Sequence, residues 1–286
     1  MNISAETVKE LRERTGAGMM DCKRALADSN GDVEKALEAL RKQGLAKAAK
    51  KIIRTAAEGL IGTVNTGNAI VLAEVYCETD FVCKTDEFQK FVKEVTAHIA
   101  KTAPKDMDAL LASTMNGKKL SDLQTELIAK IGENLGVKRF SIKPFDNKAM
   151  KAYCYIHAGS KIGVVATFED PSGKMTEVAG KDVAMHVAAM SPQYIRKSDV
   201  PESVLAKEKE VFAAQMVNEK KPPEVMEKII LGKVSKYLSE ICLEDQIFVR
   251  DPSGKQTVGQ MLKAVDPSIK IKDMVRLQVG EGVSKG

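Results

Sequence analysis

Apolar residues between residue 4 and about residue 42 recur at the spacing of three short helices. Val8 and Leu11 mark the buried face of the first helix, and the stretch Thr15-Gly16-Ala17-Gly18 ends it. Met19 and Met20 then begin the second helix. Because methionine is common on adaptable binding surfaces, these two side chains are candidates for a partner contact, with filling of a small core as the alternative.

Two later segments each predict a β-hairpin followed by a helix. In the first, apolar runs flank the turn Thr66-Gly67-Asn68, and a helix follows from Glu87 to about Lys101. In the second, two strands lie within residues 152–168, and a helix with the sequence Val183 to Ala188 follows. Since Val95 to Ala100 aligns with Val183 to Ala188, the pattern indicates an internal duplication and two α+β subdomains.

The remaining pattern is mainly helical. Two Pro residues, Pro222 and Pro223, separate two amphipathic segments, which predicts an antiparallel helical hairpin over residues 203–241. The other predicted elements are a helical connection from Leu110 to Leu135, a strand from Val137 to Ile142, a short strand at Gln246–Arg250, a helix around Val258–Val265 and a strand near Val275–Val279.

The segment Glu78-Thr79-Asp80-Phe81-Val82 joins an apolar strand to the first amphipathic helix of the duplicated part. A carboxylate beside a large ring at such a corner is suited to entering a partner and competing for its cations. Taken alone, the segment favours a different interpretation, in which Phe81 turns inward and Asp80 caps the next helix. The rest of the chain favours the exposed tip.

Composition narrows the class of protein. The 286 residues suffice for two or more domains, and 44% hydrophobic with 29% charged residues is ordinary for a globular chain. A net charge of +5, with no Trp, is weak support for nucleic-acid binding. Five widely spaced cysteines favour reduced thiols in a cytoplasm. The start of the sequence does not have the pattern of a secretory signal, and its apolar runs are too short to span a bilayer.

Motifs of catalysis are missing from the sequence. It contains no phosphate-binding loop, no dinucleotide-binding turn and no nucleophile elbow. The three histidines stand far apart, and His98 and His186 occupy equivalent places in the two duplicated helices. We interpret both as structural, with a ligand or catalytic role as the alternative. The sequence therefore favours an interaction protein over an enzyme.

Two long motifs carry a family resemblance. Leu11 to Leu26, with the sequence LRERTGAGMMDCKRAL, resembles the N-terminal signature of the bacterial translation elongation factor Ts family. Glu74 to Val82, with the sequence EVYCETDFV, resembles the family's second signature. The likeness covers essentially the whole chain. Tyr76 and Cys83 depart from the family pattern. The sequence ends soon after Gly282, so we do not expect the contacts with a binding partner that longer C-terminal tails make in relatives.

The resemblance implies a guanine-nucleotide exchange factor that binds elongation factor Tu in its GDP-bound and nucleotide-free states. It assigns docking on the partner to an N-terminal module like ubiquitin-associated domains, with Arg12, Met19 and Met20 at the contact. Thr79-Asp80-Phe81-Val82 matches the element that dislodges the partner's magnesium, and His157 is placed near a second contact surface. It implies no cofactor of the protein's own, no direct nucleic acid, no membrane and a cytoplasmic location.

The predicted fold class is α+β: a three-helix module, then a duplicated core of hairpins and helices with the inserted helical hairpin. We expect domains at residues 1–55, 56–147 and 148–286. The alternative function is a ubiquitin-associated-like adaptor or nascent-chain binding module, resting on residues 4–42 alone. A third interpretation, RNA binding by the basic cluster in residues 47–54, predicts steep salt dependence.

Overall fold

The structure is a computed structural model that describes residues 3–15, 17–146, 148–216 and 222–283. The N-terminal part forms three helices, α1 (Ala5–Thr15), α2 (Met19–Asp28) and α3 (Val33–Ala49). Asp32 caps α3, because its side chain accepts hydrogen bonds from the backbone amides of Glu34 and Lys35. Val8 and Leu11 are buried as predicted, whereas Gly16, in the predicted break, lies outside the described residues.

The first hairpin and its helix follow the predicted order. The elements are β1 (Glu58–Asn65), β2 (Ala69–Cys77), α4 (Asp80–Cys83), α5 (Asp86–Thr102), α6 (Met107–Ala112), β3 (Thr114–Met115), β4 (Lys118–Lys119), α7 (Leu120–Ile131) and β5 (Gly136–Pro144). One sheet has the order β1-β2-β5. The apolar stripe of α5 is buried, and Gly62 allows the close approach of α5 to β1, since a Cβ there would lie 2.2 Å from the Thr96 hydroxyl.

The second hairpin and its helix repeat this arrangement. The elements are β6 (Met150–Ile156), β7 (Ile162–Glu169), α8 (Glu177–Met190), α9 (Glu202–Gln215), α10 (Pro223–Ile241), α11 (Val258–Val265) and β8 (Lys270–Gln278). β6 and β7 pair antiparallel from Met150↔Glu169 to Ile156↔Gly163, in a sheet of order β6-β7-β8. Gly180 of α8 allows close packing against the ring of Tyr153, since a Cβ there would be 2.0 Å from a ring carbon.

The chain divides into two compact units. The first unit comprises Met1–Val64, Ala73–Phe140 and Gln278–Gly286, and the second comprises Asn65–Leu72 and Ser141–Leu277. The predicted α+β class is confirmed, while the predicted domain boundaries stay a prediction. No helix among the described residues is long and apolar enough to cross a membrane. Residues 217–221, which include part of the predicted turn of the helical hairpin, lie outside the described residues.

Two predicted elements are wrong. The connection from Leu110 to Leu135 is interrupted by the β3–β4 hairpin, because Asn116 and Gly117 adopt φ values of 52° and 78° and reverse the chain. The segment Gln246–Arg250 is not a strand. A 3₁₀ turn precedes it, and among the described residues its β-type pairing amounts to an isolated bridge between Ile247 and Thr257.

Candidate functional site

The corner predicted as a tip begins where β2 ends at Cys77 and continues into the one-turn helix α4. Thr79 is in an extended conformation, with φ −125° and ψ 154°, and precedes the first helical residue, Asp80. Val82 is buried, whereas Asp80 and Phe81 are exposed. The short helix therefore anchors its C-terminal end in the protein and presents its first two side chains to solvent.

Phe81 is 75% exposed, so the interpretation in which it turns into the core is wrong. Lys84, one turn later, contacts both tip residues. Its Nζ lies 2.8 Å from Oδ2 of Asp80 and 5.4 Å from the centroid of the Phe81 ring. Lys84 is not among the predicted site residues, although its spacing of four residues from Asp80 is that of a helical ion pair.

Glu133 holds the base of the corner. Its Oε2 accepts hydrogen bonds from the backbone amides of Glu78 (3.1 Å) and Thr79 (3.0 Å), and its Oε1 accepts one from the Thr79 hydroxyl (2.6 Å). Hydrogen bonds to a charged carboxylate are about twice as strong as neutral ones. Sequence reasoning missed Glu133 because it is 54 residues away from Thr79.

A second set of hydrogen bonds and one ion pair joins the corner to Asn134, next to Glu133, and to Arg54. Oε1 of Glu78 accepts from the backbone amide of Asn134 (2.6 Å), and Oε2 of Glu78 lies 3.5 Å from Arg54. The Asn134 amide nitrogen donates to the carbonyl oxygens of Ile52 (3.0 Å) and Arg54 (2.7 Å). Three segments of the first unit therefore fix the position from which α4 projects.

The N-terminal module presents its own apolar surface. Met19 is 49% exposed and Met20 is 67% exposed, so neither fills the small core. Arg12, on α1, is exposed as well. The loop before α2 is tied down by Thr15, whose hydroxyl donates to the Leu11 carbonyl oxygen (2.6 Å) and accepts from the Ala17 amide (3.2 Å).

His157 belongs to the second unit, and Arg12, Met19, Met20 and the residue 79–82 tip belong to the first. His157 follows β6 and is exposed. Its Nδ1 lies 3.0 Å from the hydroxyl oxygen of Tyr155, which orients the imidazole ring. This arrangement makes His157 a surface group.

The other two histidines have internal partners. His98 Nε2 lies 2.7 Å from the Ser113 hydroxyl oxygen. His186 is fully buried, with Nε2 at 2.9 Å from Oε1 of Gln246, and its Nδ1 accepts from the Val249 amide at 3.1 Å. Burial lowers the pKa of both histidines. Among the described residues, no three His, Cys, Asp or Glu side chains come together as a metal-binding group.

Comparison with known families adds one finding. The family model described as Elongation factor TS matches residues 78–281, more than two-thirds of the chain's 286 residues. The match begins at Glu78, so it contains the tip, Glu133, His157 and both duplicated helices. The three-helix module precedes the matched region.

Proposed function

Because the chain belongs to the elongation factor Ts family, and is a translation elongation factor of that kind, we propose that it is a guanine-nucleotide exchange factor. It binds elongation factor Tu in the GDP-bound state, displaces the magnesium ion of that partner and promotes GDP release. It has no active site of its own and works in the cytoplasm.

One observation carries the proposal: the side chain of Phe81 is 75% exposed and lies on a corner whose backbone is fixed by hydrogen bonds to Glu133. An exposed aromatic ring contributes little to the stability of the isolated protein, whereas rings that enter a partner's pocket are among the strongest contributors to binding. The three hydrogen bonds to Glu133 keep the backbone of Thr79 in place. The ring of Phe81 can therefore keep its position when it enters a partner and displace the partner's groups.

The binding of magnesium by the partner is sensitive to small structural changes around the ion. In P-loop GTPases the ion bridges the nucleotide phosphates and is held by a loop Ser or Thr, with an Asp nearby. Magnesium requires near-ideal octahedral geometry, so a small shift of the elements around it weakens its binding. Phe81 is the wedge that produces the shift. Asp80, paired with Lys84 in the isolated chain, supplies a carboxylate at the same place.

Exchange by this route involves no covalent chemistry. If the protein weakens GDP binding to the partner, GDP weakens binding of the protein by the same factor. Incoming nucleotide then expels the protein from the complex. Docking is the task of Arg12, Met19 and Met20 on the helical module, and His157 contributes a second contact from the second unit.

The adaptor function remains a second candidate because the exposed methionines also suit a small peptide-binding module. The test is release of labelled GDP from purified elongation factor Tu, with and without the protein at micromolar concentration. We expect faster release and no hydrolysis of GTP by the protein alone. An unchanged off-rate, with ribosomes or ubiquitin-like proteins captured instead, would favour the adaptor.

A further inference from the structure

Two cysteines stand on either side of the tip. Cys77 is the last residue of β2 and Cys83 is the last residue of α4, so the pair encloses the segment Glu78–Val82. Their sulfur atoms are 3.4 Å apart. Cys77 is fully buried, and Cys83 is 6% exposed. Neither residue has a role in the proposed exchange reaction.

The hydrogen bonds of the two thiols show why their sulfurs face each other. Cys77 donates to the backbone carbonyl oxygen of Thr79 at 3.2 Å, and Cys83 lies 3.7 Å from the same oxygen. Cys83 also lies 3.4 Å from the carbonyl oxygen of Gly59 on β1. The thiols therefore converge on one carbonyl group at the base of the tip.

We propose that Cys77 and Cys83 form a redox modification site, at which a peroxide produces an intramolecular disulfide that slows nucleotide exchange. The S–S bond requires about 2.05 Å, so the sulfurs must approach by about 1.4 Å. Because strand β2 is held in the sheet, the short helix α4 is the part that adjusts. The effect on exchange rests on the proposed function, whereas the formation of the disulfide does not.

The reaction balances with one peroxide for two thiols. Cys83, the more exposed residue, loses its thiol proton, its thiolate attacks one peroxide oxygen and the O–O bond breaks; the departing hydroxide takes up that proton, so a sulfenic acid and one water form. The sulfur of Cys77 then attacks the Cys83 sulfur, the S–O bond breaks, and a second water leaves with the remaining proton. The two cysteines lose two electrons and peroxide gains them. An external thiol reverses the reaction.

Oxidation changes the support of the tip. The disulfide removes the Cys77 S–H donor from the Thr79 carbonyl and the Cys83 S–H donor from the Gly59 and Thr79 carbonyls, while Glu133 continues to accept from the Thr79 amide. The end of α4 is drawn toward β2, and Asp80 and Phe81 move with it. In sites that depend on position, a displacement of about 1 Å can reduce a rate by ~100-fold. For a surface wedge we expect a smaller effect, a loss of about tenfold in the maximal rate of exchange.

The cross-link can be mapped on the full chain without reference to function. Asp80 lies between the two cysteines, so a protease that cleaves before Asp separates Asp32–Thr79, with Cys77, from Asp80–Thr85, with Cys83. After treatment with hydrogen peroxide we expect these fragments to stay joined until dithiothreitol is added. Recovery of both cysteines as alkylated thiols after denaturation would overturn the site.

The effect on exchange is tested with two matched variants. Peroxide should slow GDP release promoted by the wild-type chain and by Cys154→Ser, with recovery in dithiothreitol. Cys83→Ser, or Cys83→Ala if the serine variant misfolds, should be insensitive. A cross-link with unchanged exchange would overturn the regulatory part. An untreated chain without exchange activity would instead refute the proposed function and leave the mapped disulfide standing.

Discussion

The carboxylate of Glu133 accepts hydrogen bonds from both the backbone amide of Thr79, at 3.0 Å, and the Thr79 hydroxyl, at 2.6 Å. Glu133 lies just after the end of α7, beyond the Gly132 cap, and so reaches across from a different part of the first unit. Because the same carboxylate also accepts from the Glu78 amide, it fixes two consecutive peptide groups before the tip. This contact sets the direction in which Phe81 projects.

Glu133→Gln should slow the exchange step more than it weakens docking. The amide group of Gln offers one acceptor oxygen and a donor NH₂, so it cannot accept from both sides as the carboxylate does. A hydrogen bond to a charged group contributes about 1.5–3 kcal/mol. In exchange measured against protein concentration, the maximal rate should fall at a nearly constant half-saturation. Glu38→Gln, on the exposed surface of α3, is the control. A raised half-saturation with a normal maximal rate would contradict a positioning role.

Met19→Ala combined with Met20→Ala should weaken docking. Each methionine loses about 1.5–3 kcal/mol of burial free energy if it is fully covered by the partner. The half-saturation of exchange should therefore rise while the maximal rate is largely retained. Leu231→Ala removes another exposed apolar side chain, on α10, and serves as the control. Circular dichroism must first show an intact helical module, and a lowered maximal rate at unchanged half-saturation would exclude the docking role.

Stability should decrease on acidification because His186 is buried in its neutral form. Its Nδ1 accepts from the Val249 amide, and burial lowers its pKa in the folded state. In the unfolded chain the side chain of His186 has an ordinary pKa of about 6.5, so it binds a proton more readily there than in the folded state. The stabilisation is complete above that value and is lost as the pH falls toward and through the lowered pKa.

Thermal unfolding between about pH 7.5 and pH 5 checks this prediction. His186→Gln should be less stable at neutral pH but should show a shallower pH dependence. His157→Gln, which changes an exposed histidine, should follow the wild-type curve. His98, whose pKa is also lowered by burial, adds a slope of the same sign in all three proteins. An identical slope in wild type and His186→Gln would refute the assignment.

Arg139→Met should strongly destabilise the first unit. Glu74 is fully buried in β2, with Oε2 at 2.6 Å from Nε of Arg139 and Oε1 accepting from the Gly280 amide at 3.1 Å. Lys138, whose Nζ lies 3.6 Å from Oε1 of Glu74, remains as a partner, so the cost should be about 3 kcal/mol, the low end of the range for breaking a buried ion pair. The free energy of unfolding in urea should fall by that amount. The double variant Glu74→Leu/Arg139→Met should recover most of it, and an equal loss in both would contradict this account.

The sequence predicted those elements whose periodicity is long and whose ends carry clear signals. The helix around Val258–Val265 is observed at those residues, and Thr257 caps it by accepting from the Gln260 amide at 3.2 Å. The apolar stripe of α5 was predicted because burial along a helix repeats with the helical period. The β3–β4 hairpin was missed although Asn116-Gly117 is a strong turn signal. Its strands are two residues each, too short for a period.

The site was predictable only in its local part. Phe81 and Asp80 could be identified because they adjoin each other at the end of an apolar strand. Lys84 carried a usable signal, its four-residue spacing from Asp80. Glu133 carried none, because its contact with Thr79 depends on how α7 packs in the first unit. The sequence pattern predicts a strand at Gln246, whereas its side chain forms hydrogen bonds with His186 and with the Glu240 carbonyl oxygen.

Phe81→Ala provides the most direct test of the central claim. GDP release from elongation factor Tu should be measured at saturating concentration of the variant, with magnesium present and with magnesium chelated, alongside the melting temperature. We expect an unchanged melting temperature and exchange slower by about thirtyfold, equivalent to about 2 kcal/mol, with a much smaller defect once magnesium is removed. A decrease of about 3–5 kcal/mol in the free energy of unfolding would indicate that the ring packs in the core and would contradict this account. Normal stability with undiminished exchange would contradict the wedge itself.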